Sequence, residues 1–289
     1  MFSEVINLDY TKLVLNDDKG YGYKSGLFNS STTASSHVHN CYELIHFVNF
    51  SGTYSVEGHI YEINNNDILI TNPNELHRAI LPPDTIYENQ QFLLREAFLA
   101  EFVYDDYNPF RALKYRELGC QNKIDASMVK QYHLDDLFNQ LTYYHENPLP
   151  ESRAMIKALV LQLLTHFNNI VTITPSKKES HNTMQDILIY INNNLTEKIT
   201  LELLESKFNI SKYYISRIFK QQTGYTVVEY ITTKRILLAK ELMLNGMYAS
   251  DAALEAGFFD YSNFYRAFKH AAGMSPYDYK AQLKKNICY

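Results

Sequence analysis

A fifteen-residue pattern occurs twice in this chain. Residues 210–224 (ISKYYISRIFKQQTG) and 259–273 (FDYSNFYRAFKHAAG) align without a gap. Arg217 pairs with Arg266, Phe219 with Phe268, Lys220 with Lys269 and Gly224 with Gly273, each pair 49 positions apart. A fixed internal period marks a duplicated supersecondary unit, which excludes most folds at once. Each copy closes on Gly, the residue that takes the left-handed conformation at a helix C-terminus without steric cost. Each follows a short helical run and a tight turn: 201–207 then Phe208-Asn209-Ile210, and 250–256 then Gly257-Phe258-Phe259-Asp260. Short helix, turn and second helix make the helix-turn-helix plan.

A helix that reads DNA needs exposed donors near its N-terminus and an apolar back to hold it. In the first copy Ile215, Ile218 and Phe219 make the back, leaving Lys212, Tyr213, Ser216 and Arg217 outward. In the second, Phe264, Ala267 and Phe268 turn inward, leaving Tyr261, Ser262, Asn263, Tyr265 and Arg266 outward. Arg pairs bidentately with guanine, Asn with adenine, and rings touch the thymine methyl. Lys220 and Lys269, one turn later, suit phosphates, which position a protein without reading sequence. Residues 228–245, with Ile231, Leu238, Ala239 and Leu242 on one stripe, predict a long helix ending at Asn245-Gly246. Such a spacer sets two reading helices in successive major grooves, roughly 34 Å apart. An ordinary helical domain would explain the apolar stripes, but not matched Arg and Lys around matched Phe and Gly.

Charge agrees only weakly. The net charge is −5, yet residues 1–183 hold 14 Lys+Arg against 22 Asp+Glu, whereas residues 184–289 hold 13 against 10. An acidic part joined to a mildly basic one fits a chain of which one end meets a polyanion. Cys41, Cys120 and Cys288 are isolated, so neither a disulfide framework nor a thiolate zinc site is implied. Residues 1–11 carry Glu4, Asn7 and Asp9 where a secretory leader needs an apolar run, and stretches such as 158–164 fall far short of the ~18 residues of a membrane span. A cytoplasmic protein with no membrane partner is expected.

The N-terminal part reads differently. Residues ~20–100 predict short strands: 42–50 (YELIHFVNF), 53–56 and 59–63 flanking a hairpin turn at Glu57-Gly58, then 68–71 after Asn64-Asn65-Asn66-Asp67. Close spacing of this kind predicts an antiparallel sandwich or barrel. Residues 127–147 and 151–169 predict helices separated by Pro148-Leu149-Pro150, the second with an apolar face of Met155, Ala158, Leu159, Gln162, Leu163, His166 and Phe167. The expected fold is α+β in two domains: a barrel over 1–126, a helical dimerisation segment over 127–170, a linker over 171–183, and an all-α domain over 184–289.

Residues 199–243 together with 251–280 resemble the AraC/XylS family of bacterial transcription regulators. The resemblance implies base readers at Tyr213, Ser216 and Arg217 and at Tyr261, Ser262, Asn263, Tyr265 and Arg266. It makes Gly257, Phe258, Gly273, Pro276 and Tyr279 structural. Two departures stand out: Glu205 where the first unit usually has a small residue, and Ala252 where the second usually has a branched aliphatic. Glu205 is expected to strain a helix crossing, and Phe259 to fill the volume missing at Ala252. The N-terminal part resembles the cupin-like sensor barrel found before this module. Its His37, His39, Glu43 and His77 are similar to the set by which metal-binding cupins hold a divalent ion; two histidines two apart on a strand share a face. The implied partners are double-stranded promoter DNA, a small-molecule effector, RNA polymerase and a second copy of the chain. Effector contacts are expected among Tyr21, Tyr23, His37, His39, Tyr42, Glu43, Phe47, Tyr54 and His77, with Tyr61 also near the strands. A sugar is the expected effector and activation the expected output. Apart from a divalent metal at the four-residue set, no cofactor is expected. No Ser/His/Asp or Cys/His set and no Gly-rich phosphate loop accompanies it, so an enzyme is not expected; a metal-dependent cupin enzyme or metal sensor is the alternative.

Overall fold

The computed structural model describes residues 20–30, 36–38, 40–173 and 183–287. The chain forms two compact units, Met1–Glu179 and Ser180–Tyr289.

Among the described residues of the first unit eight strands run β1 (Tyr21–Asn29), β2 (Tyr42–Asn49), β3 (Gly52–Val56), β4 (His59–Ile63), β5 (Ile68–Thr71), β6 (His77–Ile80), β7 (Ile86–Leu94) and β8 (Lys123–Ile124). They pair antiparallel in two sheets, ordered β1-β7-β2-β5-β8 and β4-β3-β6. The expected antiparallel enclosure is therefore built from two facing sheets. Glu57 (φ 48) and Gly58 (φ 77) both take positive φ, as the predicted hairpin turn between β3 and β4 requires.

The large sheet is buried on both faces, and period-two alternation sorts its side chains. Register pairs Glu43 with Thr71, Ile45 with Leu69 and Gln91, and Phe47 with Asn89, so these share one face. That face meets the small sheet in a core of Phe28, Ile45, Phe47, Tyr54, Val56, Ile63, Leu69 and Tyr87. The opposite face, with Tyr21, Tyr42, Leu44, Ile70, Phe92 and Leu94, packs on helices. These are α1 (Arg111–Tyr115), α2 (Ala126–Gln131), α3 (Leu134–Glu146) and α4 (Ser152–Ile173).

The helical segment departs from expectation in three ways. The first predicted helix breaks into α2 and α3 at His133, which is left-handed at φ 53. The inward face of α4 is Ile156, Leu159, Val160, Leu163, Leu164, Phe167 and Ile170, whereas Ala158 and Gln162 are exposed. The branched residues at 156, 160 and 164 supply more apolar surface than the predicted stripe, and burial follows area. Finally α4 runs to Ile173, three residues into the predicted linker, because Ile170 continues the buried face; residues 174–182 of that linker lie outside the described residues. By length and composition α4 is apolar enough to cross a membrane, but its apolar face is spent on this core.

The turn between β5 and β6 is held by a buried carboxylate. Glu75, wholly buried, accepts from the Asn72 amide (2.7 Å), the Gly119 amide (2.9 Å), Asn122 Nδ2 (2.9 Å) and Arg116 Nη2 (2.7 Å). Both side chains of the Glu75–Arg116 pair are 0% exposed.

Among the described residues of the second unit every element is a helix: α5 (Thr183–Asn193), α6 (Leu201–Phe208), α7 (Lys212–Thr223), α8 (Val227–Leu244), α9 (Ala249–Glu255), α10 (Tyr261–Ala272) and α11 (Pro276–Ile287). A capping box starts α8: Thr226 Oγ1 accepts from the Glu229 amide while Glu229 accepts from the Thr226 amide. Pro276 opens α11, where its missing N–H costs nothing.

Replacing Glu75 by Ala leaves the Arg116 guanidinium buried without its counter-charge. A loss of about 3–5 kcal/mol is expected, read as a lower urea midpoint for the transition reported by the first unit.

Candidate nucleic-acid interface and barrel site

The helix starts decide where the predicted reading residues lie. Ser211 caps α7, accepting from the Tyr214 amide, and Asp260 caps α10, accepting from the Asn263 amide. Gly224 (φ 81) and Gly273 (φ 70) close the two helices in the left-handed conformation. Ile215 and Phe219 are fully buried behind α7, and Phe264 and Phe268 behind α10. Helical periodicity then turns the predicted readers outward. Tyr213 is 80% exposed, Arg217 and Lys220 are exposed, and Lys212 and Ser216 are half-buried. Tyr261, Ser262, Asn263, Tyr265, Arg266 and Lys269 are all exposed.

Several of these side chains are pre-set by neighbours. Arg266 Nη2 donates to Asn263 Oδ1 at 2.7 Å, which ties two of the predicted readers together. The Arg217 guanidinium lies 5.3 Å from the Tyr214 ring centre. Lys212 Nζ donates to Glu202 at 2.9 Å.

The two departures from the family pattern resolve differently from expectation. Glu205 does not strain the crossing of α6 and α7. Its Oε1 accepts from the backbone amide of Lys212 at 3.0 Å, so a half-buried carboxylate satisfies one of the orphan donors at the start of α7. Phe259 does not fill space at Ala252; it is 70% exposed, while Ala252 is completely buried. Ala252, Ala253 and Ala256 lie buried in the cluster where α9 packs on α8. Phe258 stacks edge-on to Phe264 (5.2 Å) and Phe268 to Tyr279 (5.3 Å), in line with the structural roles expected of Phe258 and Tyr279.

In the first unit three of the predicted polar residues converge. His37 and His77 form an isolated β-bridge through both backbone bonds (3.0 Å each), which brings their rings to 4.4 Å. Glu43 Oε2 lies 2.8 Å from His77 Nε2, and both side chains are 1% exposed. Ligand atoms of His37, Glu43 and His77 all lie within 4.8 Å of one another. His39 lies outside the described residues. Tyr54 stacks over His77, with ring centres 6.1 Å apart. The Glu75 carbonyl lies 2.8 Å from His77 Nδ1, so that nitrogen carries the proton and donates. Burial pulls the His77 pKa down, but the hydrogen bond and charge of Glu43, aided by Glu75, outweigh it and hold the imidazole above its usual range.

The other predicted effector residues lie elsewhere. Tyr21, Tyr23 and Tyr42 point to the helical side of the sheet: Tyr21 reaches His145, Tyr23 bonds Thr142 of α3, and Tyr42 donates to Glu96 at 2.8 Å. Phe47 is fully buried against Phe50 in the core between the sheets, and Tyr61 donates to the Gly119 carbonyl. In their place the inner face carries residues the sequence reading passed over. Thr71, opposite Glu43, is 1% exposed with Oγ1 lacking a hydrogen-bond partner, and Asn89 is 2% exposed with Oδ1 likewise lacking one. Lys24, opposite Gln91, is pushed down to about 8 by burial, with the charge of Glu43 acting against that shift. Strict alternation from Glu43 and Phe47 across the register would have pointed to Thr71 and Asn89.

Comparison with known proteins fits this geometry. Residues 25–164 match the family described as AraC-like ligand binding domain, and residues 204–282 match a helix-turn-helix domain family. An uncharacterized HTH-type transcriptional regulator of Staphylococcus aureus (strain MRSA252) is 27% identical over 235 residues, covering 78% of this chain but only 30% of that relative's length. The uncharacterized HTH-type transcriptional regulator YdiP of Escherichia coli (strain K12) is 26% identical over 259 residues, 86% of this chain and 81% of that protein. Among solved structures, ToxT from Vibrio cholerae O395 matches 92% of this chain and 98% of its own at 15% identity and TM-score 0.37. The C-terminal domain of AraT, a response regulator from Geobacillus stearothermophilus, matches 36% of this chain and 88% of its own at 28% identity and TM-score 0.34.

Removing the Glu205 carboxylate tests its capping role. Glu205→Ala is expected to lower the stability of the second unit by about 0.5–2 kcal/mol, whereas a carboxylate that strained the crossing would give a gain on removal. Thermal unfolding followed by circular dichroism distinguishes the two signs.

Proposed function

We propose that this chain, which belongs to the AraC/XylS family of transcription regulators, binds promoter DNA sequence-specifically through α7 and α10 and activates transcription when a small molecule occupies the space between its two sheets. That it is a helix-turn-helix regulator with a ligand-binding domain follows from the two family matches. One observation carries the finer reading: two capped helices, each backed by a fully buried ring (Phe219 or Phe268), turn matched sets of polar residues outward. Tyr213, Ser216 and Arg217 read the first groove, and Tyr261, Ser262, Asn263, Tyr265 and Arg266 the second. Lys212, Lys220 and Lys269 contact phosphates. The effector is a sugar or similar polyol. Glu43, Thr71 and Asn89 offer acceptors for ligand hydroxyls, and Tyr54 offers a ring face, the mix of apolar wall and few polar groups usual for small-ligand sites. The protein works in the cytoplasm as a homodimer through the 127–170 helical segment, recruits RNA polymerase, and has no catalytic residues. Its domains are the sensor barrel 1–126, that helical segment extended to Ile173, a linker that follows it and the DNA-binding domain that begins with α5 at Thr183.

A second reading, a metal sensor or metal-dependent enzyme, is favoured by the convergence of His37, Glu43 and His77. Two imidazoles and a carboxylate suit Zn, Mn, Fe or Ni, and the fixed Nδ1 proton leaves His77 Nε2 to face an ion. The donor set therefore fits. The same atoms also fit a direct Glu43–His77 pair at 2.8 Å, so the effector reading stands first.

Arg217→Ala and Arg266→Ala are each expected to cost ~1–3 kcal/mol and to relax specificity at one base position, measured on a selected duplex with each base varied. Lys220→Ala is expected to weaken binding to all sequences and flatten the salt dependence. Wild-type affinity in both Arg variants would remove those helices from the interface. For the barrel, a sugar panel and Zn, Mn and Ni salts, each added to the full chain, separate the two readings by thermal shift. A sugar shift abolished by Thr71→Val supports the first; a stoichiometric metal shift abolished by Glu43→Gln supports the second.

A further inference from the structure

Arg235 stands midway along α8 and touches both halves of the DNA-binding unit. Its Nε donates to the Leu195 carbonyl at 2.8 Å and its Nη2 to the Glu197 carbonyl at 2.6 Å. Those carbonyls follow α5, which packs on α6 and α7 and is also tied to α8 by Tyr230, whose hydroxyl donates to Asn192 at 3.0 Å. The 195–197 segment therefore belongs to the first reading unit. The other side of the guanidinium faces the second: its centre lies 5.8 Å from the ring of Phe259, in the turn that leads into α10.

Gly257, in the same turn, closes the joint. It is buried with φ +87, and a Cβ there would come 2.7 Å from Thr196 Cα, 2.9 Å from the Thr196 carbonyl oxygen and 3.0 Å from Arg235 Nε. The turn of the second unit thus seats backbone-to-backbone on a segment of the first, with Arg235 wedged beside the contact. A side chain at 257 would push the two apart.

This contact governs something the reading residues cannot. Each reading helix is fixed within its own unit, but duplex DNA repeats its groove about every 34 Å, and one base pair shifts position by about 3.4 Å and about a tenth of a turn. A single long helix bends, so α8 alone sets the separation of α7 and α10 only loosely. We propose that Arg235, seated against Gly257, is a positioning residue that fixes the separation and rotation of the two reading helices, and with them the spacing of the two DNA segments the protein accepts. The inference rests on the reading that α7 and α10 both enter DNA. A guanidinium suits the role because two nitrogens of one rigid plane reach two carbonyls, whereas an ammonium is a single point.

The test uses the full chain and a duplex selected by it from a random pool, with footprinting to locate the two bound segments. Derivatives carry one base pair inserted or removed between the segments, or one segment scrambled. Wild type is expected to lose at least ~10-fold affinity on the insertion, a penalty of the size a misplaced base contact carries. Arg235→Gln is expected to shrink that penalty below ~3-fold while staying within ~2-fold of wild type on duplexes with one intact segment, since each reading helix is unchanged. Arg235→Lys is expected to fall between, and it carries the test if the Gln variant does not fold by circular dichroism. An undiminished insertion penalty in the folded variant overturns the proposal. A wild-type footprint with a single segment would instead overturn the double reading on which it rests.

Discussion

Phe219 and Phe268 are each completely buried at the back of a helix whose opposite face is bare, and the uses of this protein depend on that arrangement. A helix with one face turned to solvent is held to its protein chiefly from the buried side, and the contacts among its outward residues, such as Arg266 with Asn263, add little to that hold. Burying one such ring stabilises by about 1.5–3 kcal/mol, and the neighbours Ile215, Phe264 and Tyr279 add to it. The helix ends are secured separately. Side-chain caps at Ser211 and Asp260 and left-handed glycines at 224 and 273 satisfy terminal groups without borrowing from the outward face. Glu205 belongs to the same economy: it reaches across from α6 to complete the start of α7.

Much of this was legible because duplication makes a sequence its own control. A lone Arg on an amphipathic helix says little, but Arg, Phe, Lys and Gly recurring at equal offsets can only be explained by a shared geometry. The misreadings arose where a residue's partner lies outside its own element. Glu205 looked unfavourable because a close crossing leaves no room for a carboxylate, and nothing in the sequence shows the amide of Lys212 waiting opposite. Phe259 looked like core because it is large, yet the turn at Gly257 carries it outward beside Arg235.

The first unit was harder to read because its large sheet is buried on both faces. Alternation normally separates core from solvent; here it separates two cores. Tyr21, Tyr23 and Tyr42 therefore looked equivalent to Phe47 and Tyr54 although they face helices rather than the space between the sheets. The informative residues were the polar ones. Glu43, Thr71 and Asn89 occupy inward positions where burial penalises them; Glu43 meets His77, whereas Thr71 and Asn89 each leave a buried oxygen without a hydrogen-bond partner.

The position of His77 shows how that inner face is kept rigid. Its Nδ1 proton is held by the carbonyl of Glu75, and the carboxylate of that same Glu75 collects donors from Asn72, Gly119, Asn122 and Arg116. Removing one member of such a buried network leaves a charge unpaired and is costly, so the network holds one geometry. The geometry fixed is the direction of the His77 ring toward Glu43. The same network reaches onward, because the segment carrying Arg116 begins at α1, where the Ala112 amide donates to Asn168 on α4. The inward polar group and the outer helical layer are thus braced by one turn, and a ligand that moved His77 would have to work against the contacts that hold α1 to α4.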